Sequence, residues 1–181
     1  AIGEEGTWSI IDAKRQRIYT YDGNGNLLFA FGDIGTMLGN LTNIEAITYQ
    51  GTQMLVLDKT SCAITVFKRT EYGNILIEAI AAENDQDFTL AINKWTEVLK
   101  RNSNFDAAYV GIGQAMYRNG EYEESLQYFE AAYDTDNWSK SFQEIRRQAM
   151  SKYFLLLIVG IIAIVVAIVF FNKFVAKVNK K

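Results

Sequence analysis

The chain of 181 residues has no histidine, no proline and one cysteine, Cys62. Without histidine there is no Ser–His–Asp or Cys–His nucleophile system, no HExxH zinc site and no imidazole acid–base catalyst. One cysteine makes no internal disulfide, so cysteine counting says little about compartment. Positive charge is also short: 18 Lys and Arg face 21 Asp and Glu, a net charge of −3. That leaves no basic footprint for nucleic acid, and none is expected as a partner. No catalytic, cofactor-binding or metal-ligating set emerges, so a non-enzymatic protein without cofactors is expected.

One stretch imitates a metal site. In "YTYDGNGNLLFAFGD", Asp22, Asn24 and Asn26 alternate as the oxygen ligands of a calcium loop do. Such a loop needs Gly at its sixth position and Glu at its twelfth, where this chain has Leu27 and Asp33. The flanks "RIYTY" and "LLFAF" have strand composition. An Asp-Gly-Asn cluster between two strands reads as a hairpin turn, because Gly and Asn tolerate positive φ.

The opening region repeats itself. Ile11-Asp12 matches Leu57-Asp58, Ile18 matches Ile64 and Tyr21 matches Phe67, all at a spacing of 46. Gly25-Asn26-Leu27-Leu28 matches Gly73-Asn74-Ile75-Leu76 after a two-residue insertion. A period near 45 with four short strands per unit is the pattern of a β-propeller blade. The strands of the fuller unit are expected at "IEAITY", "QMLVLD", "AITVF" and "ILIEAI". They resemble NHL repeats, and the resemblance covers about residues 1–80; an unrelated antiparallel meander is the alternative. Asp12 and Asp58, at equivalent strand ends, are expected to bond local backbone rather than form a paired-carboxylate site. The first unit lacks its opening strand, and a propeller needs about four to eight blades. The chain is therefore expected to be the C-terminal part of a longer protein.

After Ala81 the period becomes helical. "FDAAYVGIGQAMYRNGEYEESLQYFEAAYDTDN" resembles a tetratricopeptide repeat. Its first helix carries Tyr109, Ile112, Gly113 and Met116, its second Tyr122, Ser125, Phe129 and Ala132, and Gly120 marks the turn. Small residues such as Gly113 let paired helices approach, whereas Gly111 lies off the pattern and is expected to accept alanine. Phe88, Ala91, Trp95 and Val98 stand 34 residues before the second-helix set, implying a second helix without its first. Asn137 stands where family repeats usually end in proline. Trp138, Phe142, Ile145 and Ala149 fall on one face of a closing helix. The resemblance implies partner-protein binding without catalysis, with the eight repeat residues serving as packing or partner-binding positions.

Phe154–Phe171, "FLLLIVGIIAIVVAIVFF", has no polar side chain. As a helix it is about 27 Å long, near the roughly 30 Å hydrocarbon core. Its Leu, Ile, Val and Phe residues sum to about −5 to −9 kcal/mol for insertion. Lys152, Tyr153 and Lys173 suit the two interfaces. Lys140, Arg146, Arg147 and Lys152 precede the span, and Lys173, Lys177, Lys180 and Lys181 follow it, so charge alone does not orient it. The acid-free tail leans to the cytoplasm.

The sequence thus predicts partial four-stranded blades over 1–80, a helical repeat over 86–152, a transmembrane helix over 153–172 and a basic tail over 173–181. This combination resembles bacterial single-pass cell-membrane proteins with the soluble part extracytoplasmic and the C-terminus cytoplasmic. The implied role is a scaffold or ligand sensor partnered by the lipid bilayer and by proteins such as transporter subunits. The alternatives are a tail-anchored cytosolic adaptor, or an accessory part of an enzyme whose active site lies in further blades.

Overall fold

Runs with period-two patterning form two antiparallel sheets. The computed structural model describes residues 1–178. The first sheet has the order β1 (Trp8–Asp12), β2 (Arg17–Tyr21), β3 (Leu27–Phe31), and the second β4 (Ile44–Gln50), β5 (Gln53–Asp58), β6 (Ala63–Lys68). The sequence repeat reappears as pairing: Ile11 lies opposite Ile18, and Leu57 opposite Ile64. β1 and β2 are therefore the counterparts of β5 and β6.

The turns repeat with the strands. Asp12 Oδ1 accepts from the backbone N–H of Lys14 and Arg15, and Asp58 Oδ1 from those of Thr60 and Ser61. Each turn then passes through a left-handed residue, Gln16 (φ 52°) or its counterpart Cys62 (φ 48°). Asp58 does more, because its other oxygen accepts from the N–H of Thr42 and Asn43, and Thr42 Oγ1 donates to it as well. Those N–H donors, led by Ser61 and Thr42, hold the Asp58 carboxyl well below the usual carboxylate range. Asp12, with fewer donors, is also lowered, chiefly by Arg15. Both carboxylates are thus engaged by backbone N–H groups.

The β2–β3 connection is a turn organised by Asp22. Its Oδ1 accepts from Asn24 N–H at 2.9 Å and Asn26 N–H at 2.7 Å, and its Oδ2 from Asn26 Nδ2 at 2.8 Å. Donors on both oxygens are what an Asx-type turn supplies. Gly25 takes the left-handed conformation, φ 89°, that the turn requires.

The expected four-stranded unit is not formed, and each sheet has three strands. "ILIEAI" is helical, part of α1 (Glu71–Asn84), so the boundary placed at residue 80 falls inside a helix. Thr70 caps α1 by accepting Gly73 N–H. Leu76, Ala79 and Ile80 recur at helical spacing and are all buried.

The sheets stack face to face. Ile11, Ile18 and Phe31 of the first pack against Ile47, Tyr49, Met54, Val56 and Phe67 of the second. The Phe31 and Phe67 ring centroids lie 4.9 Å apart, and Ser9 Oγ meets Tyr49 OH at 2.7 Å. Leu28 of β3, on the face opposite Phe31, joins the core of the helices, and Phe29 packs against that core while its ring stays 6.2 Å from that of Phe31.

Four more helices follow: α2 (Phe88–Arg101), α3 (Asp106–Asn119), α4 (Tyr122–Ala131) and α5 (Thr135–Val178). α1 is the first helix that α2 was expected to lack. Two complete helical hairpins, α1/α2 and α3/α4, therefore precede α5. Leu76, Trp95, Val98, Ala108 and Ile112 share one core, and a large apolar side chain fully buried there contributes about 1.5–3 kcal/mol. Asp134, just before α5, accepts Asn137 N–H with its carboxylate, and the helix runs unbroken for 44 residues.

Candidate protein-interaction site

The helices bring the repeat residues together, mainly as core. Phe129 is 1% exposed, and its ring lies over Gly113, where an added Cβ would stand 2.7 Å from Cε1. That spacing is why glycine occupies the position: any side chain must displace the ring. Ile112 and Ser125 are fully buried beside it. Ser125 Oγ lies 2.8 Å from Ser141 Oγ and 2.8 Å from Tyr122 O, a hydroxyl pair where α4 and α5 meet. Tyr109 and Met116 are half-buried on α3, and Tyr109 OH donates to Ser103 O. Tyr122 packs edge-on to Tyr117 with centroids 5.2 Å apart, and Ala132 ends α4 as its C-cap residue.

A second aromatic–glycine contact joins the two hairpins, from α2 to α3. Trp95, the counterpart of Phe129, is 3% exposed and lies over Gly111, where a Cβ would stand 2.6 Å from indole Cε2. Gly111 is thus a packing glycine, contrary to the expectation that alanine would be tolerated there. Trp95 Nε1 donates to Glu83 Oε1 at 2.6 Å. Burial pushes the Glu83 carboxyl above its ordinary value, opposed by the Trp95 hydrogen bond. The α3–α4 turn uses Gly120 at φ 86°, and its counterpart 34 residues earlier is Gln86 at φ 62°.

With the repeat residues turned inward, the exposed chemistry lies at the α4–α5 corner. Phe129, Tyr133, Asp134 and Trp138 line a shallow notch. Tyr133 is 90% exposed and held in the left-handed region at φ 55°. Trp138 stacks on Phe142 at 5.2 Å, and Arg146 lies over the Phe142 ring. This shifts the closing face: α5 meets α4 through Trp138 and Ser141, while Phe142 and Ala149 are exposed. Sequence periodicity missed Ser141 because a serine carries no apolar signal, and its burial follows only from pairing with Ser125. Aromatic side chains on a rigid, partly polar surface are what protein interfaces favour.

Farther along α5, Tyr153 is exposed and Lys152 Nζ lies 5.9 Å from its ring centroid. The Lys173 side chain lies outside the described residues, as do Lys180 and Lys181. Among the described residues one helix, α5, is long and apolar enough to cross a membrane. Its apolar side chains, from Leu156 to Phe171, are exposed.

No curated protein matches the chain at a significant level. The family model for the tetratricopeptide repeat matches residues 78–141, the stretch from within α1 to the start of α5. That stretch is a tetratricopeptide repeat, and repeats of this kind generally mediate protein–protein interaction.

Proposed function

We propose that this protein is a non-enzymatic scaffold anchored in a bacterial cell membrane by α5, presenting its helical repeat to a partner protein outside the cytoplasm. The single observation that carries the reading is the continuity of α5. Its first turns carry Trp138 and Ser141 against the repeat, and the same helix continues into the apolar stretch, so a rigid rod would join the partner-binding unit to the bilayer. Exposed apolar side chains along that stretch support the anchoring, because water-facing Leu, Ile and Val over this length would otherwise be a large unfavourable surface. The sheets, on the NHL-like reading, stiffen the unit from the other side. A membrane complex such as a transporter is the partner class that fits a unit held close to the bilayer.

Two measurements test this. Cys62 is exposed and is the only thiol, so a membrane-impermeant maleimide reports one place. Labelling on intact cells is expected, with a Cys62→Ser control. Labelling only after permeabilisation would reverse the orientation and favour a cytosolic adaptor. Full chain purified from native membranes in mild detergent should co-elute with a membrane protein. Tyr133→Ser combined with Trp138→Ala should abolish co-elution while far-UV circular dichroism is unchanged. A chain that extracts with alkaline carbonate and elutes alone would refute the scaffold.

A further inference from the structure

The two sheets begin alike and end differently. β6 is the counterpart of β2, and in the first sheet β2 carries β3 along its outer edge. Among the described residues β6 pairs only with β5, because the run that would match β3 is coiled into α1. β6 is therefore an open edge of six residues, Ala63–Lys68, without proline. In an antiparallel ladder alternate residues turn both N–H and C=O away from their partner, so β6 directs a row of backbone donors and acceptors outward. Ile64 and Val66 on this strand are 62% and 48% exposed. Such an edge is a ready template for another chain.

A cavity of about 310 Å³ lies beside this edge, between the sheets. Phe29, Ala30 and Phe31 of β3 wall one side, and Phe67 and Lys68 of β6 the other. Ala30 and Lys68 are exposed, so the cavity reaches the surface where β3 and β6 face each other. It continues the contact already made between the sheets by Phe31 and Phe67. A strand laid on β6 would send alternate side chains, those beside Thr65 and Phe67, into this space. The others would cover Ile64 and Val66, so both sets meet apolar surface. Lys68 is the only charged residue of β6 and pairs with no carboxylate among the described residues. A strand antiparallel to β6 begins beside it.

We infer that the β6 edge and this cavity together bind an extended segment of a partner protein, laid antiparallel on β6. Its chemistry is that of β3, which fills the equivalent place in the first sheet: an uninterrupted apolar run of five residues, as in Leu27–Phe31. An acidic residue ahead of the run meets Lys68. Main-chain hydrogen bonds hold such a strand, and the pocket for its alternate side chains selects it. The surface lies on the sheets, apart from the α4–α5 corner, and does not depend on the partner-binding reading there.

The probe is a fluorescein-labelled peptide of the Leu27–Phe31 sequence, preceded by aspartate and followed by lysines for solubility. Its anisotropy is read against the full chain in lipid nanodiscs, with empty nanodiscs subtracted, and one peptide should bind per chain. Two further peptides are methylated on the amide nitrogens of alternate apolar residues, one on the odd positions of the run and one on the even. Only one set can face β6. One methylated peptide should therefore bind at least about tenfold more weakly, the loss of a few neutral hydrogen bonds, and the other should bind as the parent does. Thr65 and Val66 point their N–H groups to opposite sides, so proline at one of them spares the β5–β6 ladder. Of Thr65→Pro and Val66→Pro, the variant that keeps its circular dichroism should lose the peptide; if neither folds, the methylated pair decides alone. No saturable binding above the empty nanodiscs would overturn the inference, as would equal binding of the two methylated peptides. A full chain that sediments as a dimer in detergent, and as a monomer with the folded proline variant, would assign the edge to a second copy instead.

Discussion

Ile18 and Ile64 occupy the same place in two copies of one strand pair, yet the first is fully buried and the second 62% exposed. The helical hairpins behave differently: the counterparts Phe129 and Trp95 are both buried. The reason is which face each copy offers to its neighbour. The sheets stack head to tail, so the Ile11/Ile18 face of the first covers the Met54/Val56 face of the second. Leu57, Ile64 and Val66, the second sheet's version of the covering face, are left open. In the helices each copy is flanked on the correct side: the first hairpin by the second, and the second by α5. A repeated sequence thus repeats pairing and turn geometry, but burial depends on what stands next to each copy.

Alanine at the two isoleucines gives the sharpest contrast. Ile18→Ala removes fully buried methylenes and should cost about 2–5 kcal/mol, whereas Ile64→Ala should stay within about 0.5 kcal/mol. Equilibrium urea unfolding followed by near-UV circular dichroism reads both. Equal losses would mean that a neighbour covers Ile64 in solution and that the asymmetry is not real.

The two glycines beneath the helical aromatics come next in size. Gly113→Leu must displace Phe129 and Gly111→Ala must displace Trp95, each at roughly 1–3 kcal/mol of overpacking. A neutral or stabilising Gly111→Ala would show that Trp95 swings clear at no cost, and would set the seam between the hairpins apart from the packing within the second.

The smallest expected effect is at the left-handed turn residues. Gly120→Ala forces a Cβ into the left-handed region and should destabilise by about 1 kcal/mol. Gln86→Gly relieves that strain in the first hairpin, with a net gain below about 1 kcal/mol because glycine also loosens the unfolded chain. Thermal melts of the pair should move in opposite directions. Shifts of the same sign would separate the two turns.

Several parts of this architecture were legible without coordinates. The spacing of 46 located equivalent strand pairs and turn aspartates, since register and turn chemistry are local. The second hairpin was legible from Gly113, Gly120 and Phe129, because helical periodicity and a left-handed glycine both leave marks in sequence. The first helix of the first hairpin was not. Its own clue was present: stepping back 34 residues from α3 lands on α1. A competing match, Gly73-Asn74-Ile75-Leu76 against Gly25-Asn26-Leu27-Leu28, pointed to a strand instead. The exposed aromatic corner was likewise hidden, because nothing local marks Tyr133 or Ser141.

Composition and periodicity by themselves determined the strand pairs, the Asp22 turn, the second hairpin and the existence of one apolar helix long enough to cross a bilayer. Each of these rests on contacts within a few residues or on side-chain character alone. Only the tertiary structure decided what the two Gly-Asn segments become. After Asn26 the chain pairs with β2, and Leu28 reaches the helical core from a strand. After Asn74 the same kind of apolar run coils, because α2 stands ready to cover Leu76, Ala79 and Ile80 on one helical face. A short apolar run satisfies either period, and the surface available to bury it makes the choice.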